Sequence, residues 1–386
     1  MPRAQRKALV EQIEALRESR VLCYVTGDRN PAPGQIGDDA VRPMYERLRE
    51  IGPVEKLDLF LYSRGGAIDV PWRIVTALRA NAKDWNVLIP FRANSAATLL
   101  ALGADEIVLG RFGELGPIDP IMNIQRLMPG PGGPGSAVHQ DSVSVEDVMA
   151  YVKFIQERAG LSDQAALATA LAKLTERLDA VALGSAHRTH SHIRDVARRM
   201  LLSRNKPHSE QAMGTIVETL AERVYAHGHA IGLKTAKEIG LPAVAAEPEL
   251  DRLMWDLLNE YETDMKLLLP IDPAAAIATT STYSEDAVIA VVETKAAAHE
   301  FTGKIEISAR RQMPQNLNVS FNLNLQTPPG VANQPQLAAA LQQFLQQAQQ
   351  AVLAQAEQAV QQALQSQAPL VGIEAGFRSG EWKRVA

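Results

Sequence analysis

The chain has 386 residues and a mass of 42.0 kDa, with 46% hydrophobic and 22% charged residues, the values of an ordinary globular chain long enough for two domains. A formal charge of -5 and a pI near 6.0 exclude a general attraction for phosphate backbones, and no long Lys/Arg run offsets this, so no nucleic-acid partner is expected. Cys23 is the only cysteine, which excludes an intrachain disulfide and a cysteine-based zinc site and suits a reducing compartment, the cytoplasm.

The N-terminal twenty residues mix charges throughout and hold no apolar run of the signal-peptide type. Nowhere do about twenty apolar residues stand together, so no membrane span is expected. Residues 5–20 place Leu9, Ile13 and Leu16 on one face of an amphipathic helix, and Val21–Val25 reads as a buried strand. Gly27–Gly37 reads as a loop, and Asp38–Glu50 as a helix with carboxylates in its first turn. Leu57–Leu61 is the next strand. It runs into Ser63-Arg64-Gly65-Gly66, followed by a helix over Ala67–Asn81, a strand over Asn86–Pro90, a helix over Ser95–Gly103 and a strand over Glu106–Leu109. This alternation is that of crossover units on a parallel sheet, an α/β class.

Met128–Gly135 is rich in Gly and Pro and reads as a loop. From about Val145 to Lys266 the pattern is almost wholly helical, with breaks at Gly160, Gly184 and Asn205–His208. Near its end, Lys234–Ile239 reads as a short helix closed by Gly240. Pro270–Pro273 marks a boundary, giving a first domain over residues 1–269. A small β-rich region over 270–330 follows, with strands at Asp286–Glu293 and Lys304–Ala309 and a period-two segment at Asn316–Gln326. Residues 331–386 form a Gln/Ala-rich helix and tail. Between Gln334 and Gln367 the only charge is Glu357, and Leu341, Leu345, Ala348, Val352 and Ala359 fall at helical spacing. Ala and Gln favour one long helix with a narrow seam for a partner, which makes a homo-oligomer the expectation; a disordered Gln-rich tract is the alternative.

Two turns carry chemistry, both at the C-terminal ends of expected parallel strands, where such sheets place their sites. In Ser63-Arg64-Gly65-Gly66, the glycine pair lets backbone N–H groups face outward, as an oxyanion hole requires. In Asn94-Ser95-Ala96-Ala97, a serine hydroxyl opens a helix among small neighbours that let a peptide approach. The plain alternative for Ser95 is an N-cap.

Taken together, residues 57–120, with LYSRGGAID, ANSAATLLALGADEIV and GELGPIDP in that order, resemble the serine dehydrogenase proteinase family. These are serine peptidases of the Clp/crotonase fold, related to signal peptide peptidase A. The resemblance is looser over 1–56 and 121–250, where HGHAIGLKTAKEIGLP is similar to the family's closing helix and turn, and absent beyond about 270. It implies repeated ββα-type units with a helical extension, and Ser95 as nucleophile. The N–H groups of Gly66 and Ala96 are the implied oxyanion hole, with Gly65 shaping the turn. In caseinolytic proteases of this fold the base is a His about twenty-five positions after the serine, a region that here reads Pro117-Ile118-Asp119-Pro120-Ile121 without His. In signal peptide peptidase A and related membrane proteases a Lys on a later helix serves, and Lys153 has a similar placement. Desolvation beside the serine would let such a lysine act as base near neutral pH, whereas a solvated helix lysine is the plain alternative. His139 and Asp119 are the other candidates, Asp119 as an orienting group or as part of the GELGPIDP turn.

The resemblance thus implies a serine endopeptidase acting on peptides or unfolded proteins, with no metal or organic cofactor. Two rivals remain: a crotonase-type acyl-CoA enzyme with Glu114 as base, and a non-catalytic oligomeric scaffold of the same fold. Other signals carry less. Gly130–Gly135 fits G-x-G-x-x-G, but two prolines remove N–H donors and no strand or acidic partner suits a dinucleotide. His187, His190 and His192 cluster, yet helical spacing sets His192 off the face of the other two, and a polar helix surface is the reading. Tyr151, Trp72 and Trp85 are read as packing residues. No P-loop, HExxH or G-x-S-x-G occurs.

Overall fold

The amphipathic start of the chain forms α1 (Pro2–Arg17), with Val10 and Ile13 fully buried, and leads into β1 (Arg20–Thr26). The computed structural model describes residues 2–118, 121–130, 133–160, 163–175, 180–223, 230–311 and 335–385. Within it α2 (Val41–Ile51), β2 (Val54–Tyr62), α3 (Val70–Asn81) and β3 (Ala82–Ile89) succeed one another. A two-residue strand, β4 (Arg92–Ala93), then precedes α4 (Ala96–Leu102), β5 (Ile107–Leu109) and β6 (Glu114–Leu115). The expected crossover pattern is present: β1, β2, β3 and β5 pair in parallel in that order.

Central parallel strands are covered on both faces, so they read as continuous apolar runs. Alternate residues accordingly enter two cores. Leu22, Tyr24, Leu59, Leu61, Val87 and Ile89 face one, and Val21, Cys23, Val25, Phe60 and Leu88 face the other. The first core also takes residues of α2, α3 and α4, the second residues of α1.

Residues 128–130 and 133–135 of the Gly/Pro stretch read as a loop lie instead in two paired strands. β7 (Ile121–Gly130) and β8 (Gly133–Ser144) are antiparallel, with Ile121 opposite Ser144 and Met128 opposite Ala137. A two-stranded ribbon has two free edges, so Pro129 and Pro134 need not supply ladder donors, and the residues that read as breakers fit strands. Helices α5 (Val145–Lys153), α6 (Gln164–Thr175), α7 (Ala180–Leu202), α8 (Glu210–Glu218) and α9 (Leu233–Ile239) follow. Gly240 closes α9 at φ 97°, the left-handed C-cap expected of it.

Inside the region read as almost wholly helical, β9 (Ala243–Ala245) adds a parallel strand beside β5. Three residues are too short for a periodic signal. α10 (Pro248–Asp264) then covers the second core with Leu250, Leu253, Met254, Leu257, Leu258 and Tyr261.

α11 (Pro273–Ala276), β10 (Thr282–Glu293), β11 (Ala298–Arg311), α12 (Pro335–Gln367) and β12 (Leu370–Val385) complete the chain. β12 was not read from the sequence, where residues 368–386 were a tail. The Asn316–Gln326 segment lies outside the described residues. Contacts divide the chain into two units, residues 1–270 with 286–303 and 379–386, and residues 271–285 with 304–378. The strand order is β12-β11-β10-β1-β2-β3-β5-β9, to which the first unit contributes 286–293, 298–303 and 379–385 of the last three strands. Among the described residues, no helix is long and apolar enough to cross a membrane.

Candidate active site

β2 ends at Tyr62, and the chain then runs beside β4. Ser63 donates its N–H to the Arg92 carbonyl at 3.0 Å and accepts the Asn94 N–H at 3.0 Å. The buried Ser63 hydroxyl accepts from Thr26 Oγ1 at 2.7 Å and from the Gly65 N–H at 3.0 Å, which fixes the start of the turn. Gly65 lies at φ 105°, and a Cβ there would stand 2.7 Å from the Asn94 carbonyl oxygen and 2.8 Å from Ser95 Cβ. Only glycine allows both that backbone angle and that approach. Next to it, the Ile36 N–H donates to the Gly65 carbonyl at 2.8 Å and the Ala67 N–H to that of Ile36 at 2.9 Å. Gly66 is thereby pinned, while among the described residues its own N–H makes no hydrogen bond.

Ser95 caps α4 by position, at φ 52° and ψ -116°, but its side chain makes no capping hydrogen bond. The plain N-cap reading therefore fails. A non-glycine residue at positive φ persists only where its surroundings impose it, and such residues cluster at functional sites. Here the surroundings are α4, buried throughout, and Thr98, whose hydroxyl lies 2.7 Å from the Ala93 carbonyl oxygen and 2.8 Å from that of Gly116. The same hydroxyl accepts the Gly116 N–H at 3.2 Å, joining the GELG turn to the serine turn. Ala96 is the first residue of the helix, so its N–H has no intrahelical partner. Among the described residues neither the Gly66 N–H nor the Ala96 N–H is hydrogen-bonded, and the Ser95 hydroxyl is not either. The structure thus brings Gly65 against Ser95 and Ala96 and leaves two donors and one hydroxyl uncommitted.

The base candidates stand differently. Lys153 is the last residue of α5 and is exposed, and no hydrogen bond joins it to Ser95. α5 rests on α7 through Val145, Val148 and Ala186, and Arg194 donates to Glu146 at 3.2 Å. Asp119 and the side chain of His139 lie outside the described residues. Glu114, in β6, forms an ion pair with Arg92 at 3.3 Å.

One pairing escaped the sequence: His192 Nε2 is 2.5 Å from Asp69 Oδ1. Asp69 follows Gly66 by three residues and holds the N-cap position of α3 without a side-chain capping bond, so this member of the pair stands on the segment that carries the glycine turn. The two residues are 123 positions apart, and no local pattern announces such a meeting. Among the described residues no group of three or more His, Cys, Asp or Glu could hold a metal.

Residues 3–159 match the family described as ClpP-like SDH-type serine proteinase, the family that the Gly-Gly and Asn-Ser turns resemble. Two uncharacterized proteins of Methanocaldococcus jannaschii are also similar. One is 38% identical over 78 residues, 19% of this chain and 27% of the relative. The other is 36% identical over 124 residues, 30% of this chain and 42% of the relative. The chain therefore spans less than half the length of either curated relative. Among solved structures, ClpP1 from Listeria monocytogenes has a TM-score of 0.32 at 10% identity, covering 62% of this chain and 99% of that one. A point mutant of the same protein has a TM-score of 0.31 at 9% identity with the same coverage.

Proposed function

We propose that the chain is a serine peptidase in which Ser95 is the nucleophile and the Gly66 and Ala96 amides hold the oxyanion. The observation that carries the reading is Ser95 itself: a strained, uncapped serine beside two uncommitted N–H groups, within the segment that matches a serine proteinase family. Ser95 Oγ adds to a peptide carbonyl while the base takes its proton. Negative charge then forms on the carbonyl oxygen between the two N–H groups. The C–N bond breaks as the base returns the proton to the leaving amine, and water hydrolyses the acyl-serine by the same steps. Gly65 shapes the turn without entering the chemistry.

Lys153 is the base in this reading. A lysine serves only once desolvated, and Lys153 is exposed in the single chain, so a bound peptide or a neighbouring copy must cover it. The hydrogen-bonded His192–Asp69 pair supports a second reading, in which His192 takes the proton. In both readings residues 1–269 form the peptidase domain of a cytoplasmic homo-oligomer, with the β-rich region over 270–330 and the Gln/Ala-rich helix and tail over 331–386 serving assembly or substrate docking.

The test is hydrolysis of an unfolded protein, read by mass spectrometry, together with labelling by a fluorophosphonate that reacts with activated serines. Wild type is expected to cleave and to be labelled, and Ser95→Ala to do neither. Loss in Lys153→Ala with activity kept in His192→Ala supports the lysine, and the reverse supports the histidine. Absence of labelling in folded wild type overturns the peptidase reading and favours the scaffold. Activity on an acyl-CoA that survives Ser95→Ala favours the crotonase branch.

A further inference from the structure

Asp28 lies in the loop after β1, and its side chain is only 11% exposed. Its carboxylate accepts from Arg64 Nε at 2.7 Å, and Arg92 Nη1 stands 3.6 Å from the same oxygen. The chain positions of these partners matter. Arg64 directly precedes Gly65, and Arg92 opens the strand that delivers Asn94-Ser95. One carboxylate therefore touches both arms of the proposed site, and touches neither Ser95 nor the oxyanion donors.

The surroundings give this carboxylate few other tasks. Arg92 is also held by Glu114 at 3.3 Å and lies over the Phe91 ring at 4.1 Å, so its guanidinium is fixed on more than one side. The Glu262 carboxyl is pushed up by burial and by the Asp28 charge. The Tyr62 hydroxyl is likewise pushed up, by burial first and by the Asp28 charge next, so it stays neutral. Without Asp28, the guanidinium groups of Arg64 and Arg92 would face each other as like charges between the two turns. An exposed ion pair counts for little, but this carboxylate is nearly buried and faces two guanidinium groups.

We propose that Asp28 is a positioning residue, whose carboxylate, paired with Arg64 and Arg92, sets the spacing between the Gly65–Gly66 turn and Ser95. This deepens the peptidase reading and rests on it for its kinetic consequences, though not for the geometry.

The test uses the full chain as wild type, Asp28→Ala, the pair Arg64→Ala with Arg92→Ala, the triple variant, and Ser95→Ala. Asp28→Ala is expected to lower kcat and the fluorophosphonate labelling rate together, by about tenfold to a hundredfold, with KM within about twofold. The triple variant should lose no more than Asp28→Ala, because the arginines act through the same carboxylate. Additive losses, or a rise in KM at unchanged kcat, would overturn the proposal. A crystal structure of Asp28→Ala supplies the readout that needs no activity: a change of about 1 Å in the separation of the Gly66 nitrogen from Ser95 Oγ is expected. An unchanged separation overturns the proposal even if wild type proves inactive. Activity that persists in Ser95→Ala refutes the nucleophile and leaves that separation to decide on Asp28.

Discussion

At the scale of the residue, Ser95 sits where glycine would be easier. Its φ of 52° with ψ -116° is a region that L side chains rarely occupy, and the hydroxyl gains no cap bond in return. Ser95→Gly is therefore expected to stabilise the fold by about 1 kcal/mol, less than the full strain because glycine is also freer when unfolded. It should abolish labelling and hydrolysis. Urea unfolding beside an activity assay checks both, and a lower midpoint for the variant would show that the serine is unstrained. The nucleophile candidate and its glycine turn were legible because both depend on local features: a strand end, small residues, and a backbone that only glycine follows. The base was not legible for a physical reason. A lysine becomes a base through desolvation, which sequence does not display, and His192 meets Asp69 only through the packing of α7 beside α3.

At the scale of the element, Asp105 shows how one side chain between α4 and β5 registers several pieces. It accepts from Arg79 of α3 at 2.6 Å and 2.9 Å, from the Trp85 N–H of β3 at 3.1 Å and from the Asn205 N–H beyond α7 at 2.8 Å. Burial alone would push its carboxyl up, but the bonds from Arg79, Asn205 and Trp85 outweigh that and hold it below its ordinary value. A carboxyl depressed in the folded state stabilises above its unfolded pKa, and that contribution disappears as pH falls through the folded value. Asp105→Asn is thus expected to cost about 2 kcal/mol at neutral pH, with the gap to wild type narrowing once pH falls below the usual carboxylate range. Urea titrations at neutral pH and near pH 3 check this, and a gap that stays constant would assign the loss to shape alone.

The expected limits of β1, α4 and α12 fall within a residue of the observed ones, whereas the starts of β2, α3 and β3 differ by three or four residues. The β7–β8 hairpin, β9 and β12 were not foreseen, because their pairing depends on partners distant in the chain or on segments of few residues.

At the scale of the whole molecule, α12 is the longest element among the described residues and is nearly uncharged. Its 33 residues extend about 50 Å, and Glu357 is its only charge, whereas the chain as a whole carries -5. Phe344 and Val352 on it are 66% and 45% exposed. Two such helices can approach with little like-charge repulsion, while two whole copies each carry -5, so α12 is the element through which copies of this chain are expected to meet. Wild type should then sediment at a multiple of 42.0 kDa, and Phe344→Glu with Val352→Glu should shift the mass toward 42.0 kDa without loss of helical circular dichroism. A single 42.0 kDa species in wild type would refute assembly, and an unshifted variant would place it elsewhere on the chain. The coupling to chemistry follows from Lys153. If a neighbouring copy supplies the cover that this lysine needs, the dissociated variant loses hydrolysis, and raising its concentration restores assembly and activity together. If the peptide supplies the cover, activity per chain is the same in both states, so one dilution series separates the two.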